Sequence, residues 1–362
     1  MSDRLRLGIV GCGEATQLIH LPTLRDLRDR LQVTALCDVS RRVLDGVGEE
    51  WNIRRRHLDH NALVVDPEID AVLVANPHAL HAEVALAAMA AGKAVFIEKP
   101  MCLTLAEADA LIAEQSRSGV TVQIGYMRRY APAFIAACDL VKGMPDIRLV
   151  RVQDILGRNA LINAQIANVI RPTDLAPALG EQLRKLQTER VREAIGTASP
   201  TLDNAYMLLL ALCSHDLSAM REMLGFPRRV LFATHRGPEG RSIAAAFDYG
   251  SFVCQFATEV DNLPRFDAHI EVLSPSRIVR VDFDTPYVRN MPGRLHVTDL
   301  DGAGMARSAS SLAWRDPFAL EWIAFHENFT QRKRPKTSLQ DAREDLVLFR
   351  MMVDAMRAAP PS

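Results

Sequence analysis

The feature that most constrains this chain is a short glycine turn between a strand and a helix. Leu5–Val10 reads as a buried β-strand and leads into Gly11-Cys12-Gly13-Glu14-Ala15-Thr16, after which the apolar residues fall into helical period from Gln17. In that context Gly11 permits a tight turn and Gly13 lets the backbone come close to a pyrophosphate. The helix start, through Cys12, Glu14 and Ala15, offers unpaired N–H groups to the anion. Thr16 stands where a third glycine or alanine is usual, which predicts slightly looser packing of helix on strand.

Asp38 closes the second predicted strand, Val33–Cys37, about twenty residues beyond the turn, where a carboxylate accepts ribose hydroxyls. The same residue would also serve as a cap for the helix beginning near Arg41. Its charge opposes a 2′-phosphate, whereas Ser40, Arg41 and Arg42 attract one, so the residues favour NAD and leave NADP open. Further strands at Ala71–Ala75, Ala94–Ile97 and Val120–Ile124, with a weaker one at Arg56–Leu58, alternate with helical stretches at 41–50, 78–91, 105–116 and 132–141. That alternation predicts a doubly wound parallel sheet, the Rossmann architecture, over residues 1–125.

From residue 126 to 362 the grammar changes. Long strand-like runs follow one another directly at 229–234, 242–247, 252–260, 269–273 and 278–283, and predict an α+β domain with a large, mostly antiparallel open sheet. Two helices, near 317–331 and 338–358, end the chain, the last of them suited to pack back on the Rossmann domain. Residues 158–200 read as an amphipathic helical insertion, expected near the substrate side. With 362 residues, 48% of them hydrophobic, two domains are the natural division.

Composition narrows the partners. Forty-three basic against forty-four acidic residues leave a formal charge of -1, which gives no field for nucleic acid or an anionic membrane. No apolar run approaches a membrane span, and the first residues enter a strand with no signal-peptide pattern, so a cytoplasmic protein is expected. The six cysteines are scattered without a Cys-x-x-Cys pair, which predicts buried thiols and neither a metal site nor a disulfide framework.

Two further turns carry chemistry. Asn76-Pro77 follows the fourth strand at the carboxyl edge of the sheet, placed to line the nicotinamide ribose, with His78 and His81 at the next helix start. Glu98-Lys99-Pro100 follows the fifth strand, and its proline stiffens a turn that fixes a lysine at the cleft. Such a lysine, its charge disfavoured by burial, exchanges a proton with a substrate hydroxyl or carbonyl.

These strings, VGCGEATQLIHLPTL at 10–24, LCDVS at 36–40, ANPHALHAEVALAAMAAGKAVFIEKP at 75–100 and QIGYMRRYAPAF at 123–134, resemble the glucose-fructose oxidoreductase, inositol dehydrogenase and MocA (Gfo/Idh/MocA) family of oxidoreductases. The resemblance implies hydride transfer between nicotinamide and a secondary alcohol or ketone of a sugar, sugar derivative or cyclitol, with Lys99 as acid, base or orienting group. Glu98 and His81 would adjoin the cofactor. It also implies a catalytic histidine at His215, in LLLALCSHDLSAM.

Family members usually carry an aspartate four residues before that histidine; here the position is Ala211. Asp216, Tyr126, Arg129 and Tyr130 are candidate substrate contacts, and Trp314 and Arg315 candidates to close over nicotinamide. A homo-oligomer paired through the C-terminal sheet is expected. The missing aspartate keeps two alternatives open: a redox-neutral, NAD-assisted lyase, epimerase or glycosidase, and a non-catalytic NAD-sensing regulator.

Overall fold

A computed structural model describes residues 4–358 and divides the chain into two compact units. The first unit comprises everything up to Tyr126 together with Ala167–Gly196 and Phe318–Leu346. Its sheet has six parallel strands: β1 (Leu5–Val10), β2 (Leu31–Cys37), β3 (Arg55–His57), β4 (Ala71–Val74), β5 (Ala94–Glu98) and β6 (Val122–Gly125). They run in the order β3-β2-β1-β4-β5-β6, the doubly wound arrangement whose switch point lies between β1 and β4. β1, β4 and β5 are buried along nearly their whole length, which explains why they read as continuous apolar runs.

The core beneath the sheet is completed from far along the chain. Phe96 of β5 stacks on Trp322, with ring centroids 4.2 Å apart, and Phe325 meets both rings edge-on. Trp322 and Phe325 lie on the helix Pro317–Thr330 and are fully buried. At β6 the main chain of Ile124 donates to the Thr337 carbonyl, and the Thr337 hydroxyl donates back to the Ile124 carbonyl, covering an edge that would otherwise stand open.

The second unit, residues 127–166, 197–317 and 347–362, is built on eight strands: β7 (Leu149–Gly157), β8 (Arg229–Arg236), β9 (Ser242–Asp248), β10 (Val253–Asp261), β11 (Phe266–Leu273), β12 (Arg277–Phe283), β13 (Gly293–Leu300) and β14 (Ala306–Ala313). Their order is β14-β13-β12-β11-β7-β10-β9-β8, with β7 and β10 parallel and every other neighbour antiparallel. The helices Pro132–Lys142 and Ser214–Leu224 pack on this sheet.

The insertion forms the helices Asn159–Ile166 and Pro177–Ile195, and its 167–196 portion belongs to the Rossmann unit. The Gln17 side-chain amide donates to the Ile170 carbonyl at 2.9 Å and accepts from the Ile170 N–H at 2.8 Å, and Ile170 packs on the Rossmann core. Of the cysteines all are unbridged, and five are buried; Cys138 is only half-buried.

Candidate functional site

Gly11 has φ of +96°, and a Cβ there would lie 2.5 Å from the main chain of Ala75 and Asn76. Only glycine fits this crossing of the β1 and β4 turns. Gly13 is different in kind: a Cβ on it would meet nothing within 4 Å. Its lack of a side chain therefore serves no packing within the protein, and leaves the turn open to a ligand.

Thr16 does not simply loosen the helix. Its hydroxyl donates to the Gly11 carbonyl at 2.6 Å, and the chain from Thr16 to His20 is a π-helical turn that precedes the α-helix Leu21–Asp26. Asp38 braces the same turn, accepting from the Cys12 N–H at 2.9 Å with one oxygen and from the Ser40 N–H with the other. The cap of the helix Arg41–Glu50 is Ser40 rather than Asp38, since the Ser40 hydroxyl accepts from Val43 N.

A cavity of about 310 Å³ opens beside Asp38. Gly11, Asp38, Asn76 and Pro77 form its floor, while Leu175, Leu179 and Leu183 of the insertion form its roof. Among the described residues the Asn76 side-chain oxygen is buried and without a hydrogen-bond partner at this wall. A carboxylate, an open glycine cradle, apolar walls and an unanswered amide oxygen together suit an adenine dinucleotide.

The Glu98-Lys99-Pro100 turn is held from two sides. His20, fully buried, donates from Nε2 to Glu98 Oε1 at 2.8 Å and accepts at Nδ1 from the Trp322 indole at 3.2 Å. Burial by itself would raise the Glu98 carboxyl; the His20 hydrogen bond and the neighbouring Lys99 charge outweigh it and hold the carboxyl below its usual range. The other Glu98 oxygen accepts from the Lys99 N–H, and the Lys99–Pro100 peptide is cis.

His81 ties the two turns together. Its ring nitrogens lie 2.7 Å from the Pro100 and Asn76 carbonyls, and burial keeps the ring below its ordinary pKa. A neutral ring donates to one of these oxygens at a time. The His81 side chain is buried and holds the backbone of both turns. Burial is the main cause that pushes His78 down to about 3, so it too is neutral.

In the second unit His215 is buried on the helix Ser214–Leu224, directly after a π-helical turn at Leu209–Cys213. That turn breaks the simple four-residue spacing between Ala211 and His215. Asp216 is fully buried and paired with Arg128, which also donates to Asp154 at 3.2 Å. Phe283 and Phe266 face the Arg128 guanidinium at 4.9 and 5.7 Å. Burial pushes the Asp216 carboxyl well up; Arg128 pulls it back, and Asp154 raises it again.

Several candidate substrate contacts are therefore spent on the scaffold. Asp216 serves Arg128, Arg129 pairs with Glu222, and within the first unit the Tyr126 hydroxyl donates to Asp345 at 2.7 Å. Tyr130 is buried, while Trp314 and Arg315 remain exposed. Arg128 and Asp154 escape a reading of the sequence because nothing local marks which of the two buried arginines in Met127-Arg128-Arg129-Tyr130 meets the buried carboxylates.

Residues 5–126 match the profile of the family described as "Oxidoreductase family, NAD-binding Rossmann fold". This stretch matches the Gfo/Idh/MocA family model. Inositol 2-dehydrogenase of Paracoccus denitrificans is 36% identical over 134 residues, 36% of this chain and 40% of that protein. The match to such relatives thus spans about two fifths of their length. Inositol 2-dehydrogenase 3 of Saccharopolyspora erythraea aligns more widely, 27% identical over 87% of this chain and 81% of that one.

Solved structures add a likeness of fold over nearly the whole chain. A crystal structure of aldose-aldose oxidoreductase from Caulobacter crescentus, complexed with glycerol, covers 98% of both chains with a TM-score of 0.74 at 19% identity. A 3-ketoreductase from Actinomadura kijaniata, in complex with NADP and TDP-benzene, covers 98% of this chain and 97% of its own, with a TM-score of 0.72 at 18% identity. Among the described residues no helix is long and apolar enough to cross a membrane.

Proposed function

We propose that the protein is an NAD-dependent oxidoreductase acting on a secondary alcohol or ketone of a sugar, sugar derivative or cyclitol. The observation that carries this reading is the placement of Lys99 beyond β5, on a turn fixed by Glu98 and joined through His81 to the Asn76 wall of the cavity. A nicotinamide dinucleotide bound there supplies the hydride acceptor or donor. Asp38 and the Gly11–Gly13 turn orient it, and Lys99 Nζ takes the hydroxyl proton in oxidation and returns it in reduction. His215 enters as a second polar group through the family resemblance, and the eight-stranded sheet is read as the surface that pairs with another copy.

Lys99→Ala, assayed for NAD reduction against a polyol panel that includes myo-inositol, is expected to lose turnover by about 100-fold or more while keeping its NAD affinity. Unchanged turnover in that variant overturns the reading.

A further inference from the structure

Of the phosphate-attracting groups after β2, the Ser40 hydroxyl and the Arg42 N–H are already engaged. The Asp174 carboxylate, on the segment entering the helix Pro177–Ile195, accepts from the Ser40 hydroxyl and from the Arg42 N–H at 3.0 Å. It thus sits at the N-terminus of the ten-residue helix Arg41–Glu50, where backbone N–H groups and the helix dipole favour an anion. The Ser40 hydrogen bond, followed by that of Arg42, holds the carboxyl below the usual range, so it is ionised.

This placement is fixed by neighbouring contacts. Ile170 is bound by Gln17 through both main-chain groups, and a side chain on Gly46 would collide with it. Arg171 pairs with Glu14 of the glycine turn at 2.7 Å. Further along, Arg190 pairs with Glu107 at 3.1 Å, and Val191 and Ile195 are buried, so the helix is pinned while Leu175, Leu179 and Leu183 face the cavity.

We propose that the 167–196 insertion is the cofactor-selecting element of this site, with Asp174 occupying the place that the 2′-phosphate of NADP would need. The inference rests on the reading of the cavity as a dinucleotide site. A 2′-hydroxyl donates to Asp38 without conflict. A 2′-phosphate, carrying about -1.5 to -2 charges, meets Asp38 and Asp174 together and finds the Ser40 hydroxyl and the Arg42 N–H already engaged.

Calorimetric titration of the full-length protein with NAD and with NADP tests this without any substrate. Wild type is expected to bind NAD at least about tenfold more tightly. Asp174→Ala and the isosteric Asp174→Asn should narrow that ratio about tenfold by strengthening NADP, with the fold kept, since the Gln17–Ile170, Glu14–Arg171 and Glu107–Arg190 contacts still hold the insertion. A variant that weakens both dinucleotides equally, or leaves the ratio as it was, overturns the inference, as does a wild type that prefers NADP. Failure of wild type to bind either dinucleotide overturns instead the reading of the cavity.

Discussion

At the scale of single residues, the two glycines of the turn separate folding from binding. A Cβ on Gly11 runs into main chain at 2.5 Å from a backbone at φ +96°, so Gly11→Ala strains the protein with no ligand present. A Cβ on Gly13 touches nothing, so Gly13→Ala should fold normally and obstruct only what approaches the turn. The expected result is a lowered melting temperature for Gly11→Ala. For Gly13→Ala the melting temperature should match wild type, with NAD affinity down about tenfold or more. Equal melting temperatures for the two variants would refute this division.

Among the elements, one guanidinium joins three: Arg128 of the short helix Met127–Tyr130 reaches Asp154 on β7 and Asp216 on the helix Ser214–Leu224. Arg128→Met leaves two buried carboxylates facing one another, and should cost about 3 to 5 kcal/mol in urea denaturation at neutral pH. Arg128 pulls the Asp216 carboxyl down against burial, so its removal raises that carboxyl further, and the variant's folded form takes up a proton that the unfolded chain releases. The variant's deficit should therefore grow as pH rises and shrink as pH falls toward the ordinary carboxylate range. A deficit independent of pH would show that the carboxylates are not its cause.

The same scale shows what the sequence reveals and what it hides. β1, β4 and β5 are legible as apolar runs, and the helix Arg41–Glu50 by its period, since each follows from local patterning. β14, with the sequence ARSASSLA, is exposed along almost its whole length and has no apolar alternation to betray it; it is defined only by pairing with β13. Within the site, Gly11 is legible because backbone geometry demands it, and Gly13 and Asp38 because they stand at set places after the first two strands. The seat of Asp174 on Ser40 is not, because the contact spans the chain from the second strand of one unit to an insertion whose docking no local pattern encodes.

For the whole molecule, the Rossmann core depends on chain that is distant in sequence. Trp322 fills the space against Phe96 and donates to His20, which in turn holds Glu98 beside Lys99. Trp322→Ala should cost about 3 to 5 kcal/mol of stability in denaturant titration. A loss below about 1 kcal/mol would show that the ring is not part of that core. The order of synthesis adds a consequence. All six strands of the first sheet leave the ribosome before Trp322, by roughly ten to forty seconds at ordinary elongation rates. For that interval the nascent sheet shows the ring of Phe96 to solvent or to a chaperone, and the unit closes only once the helix Pro317–Thr330 has emerged.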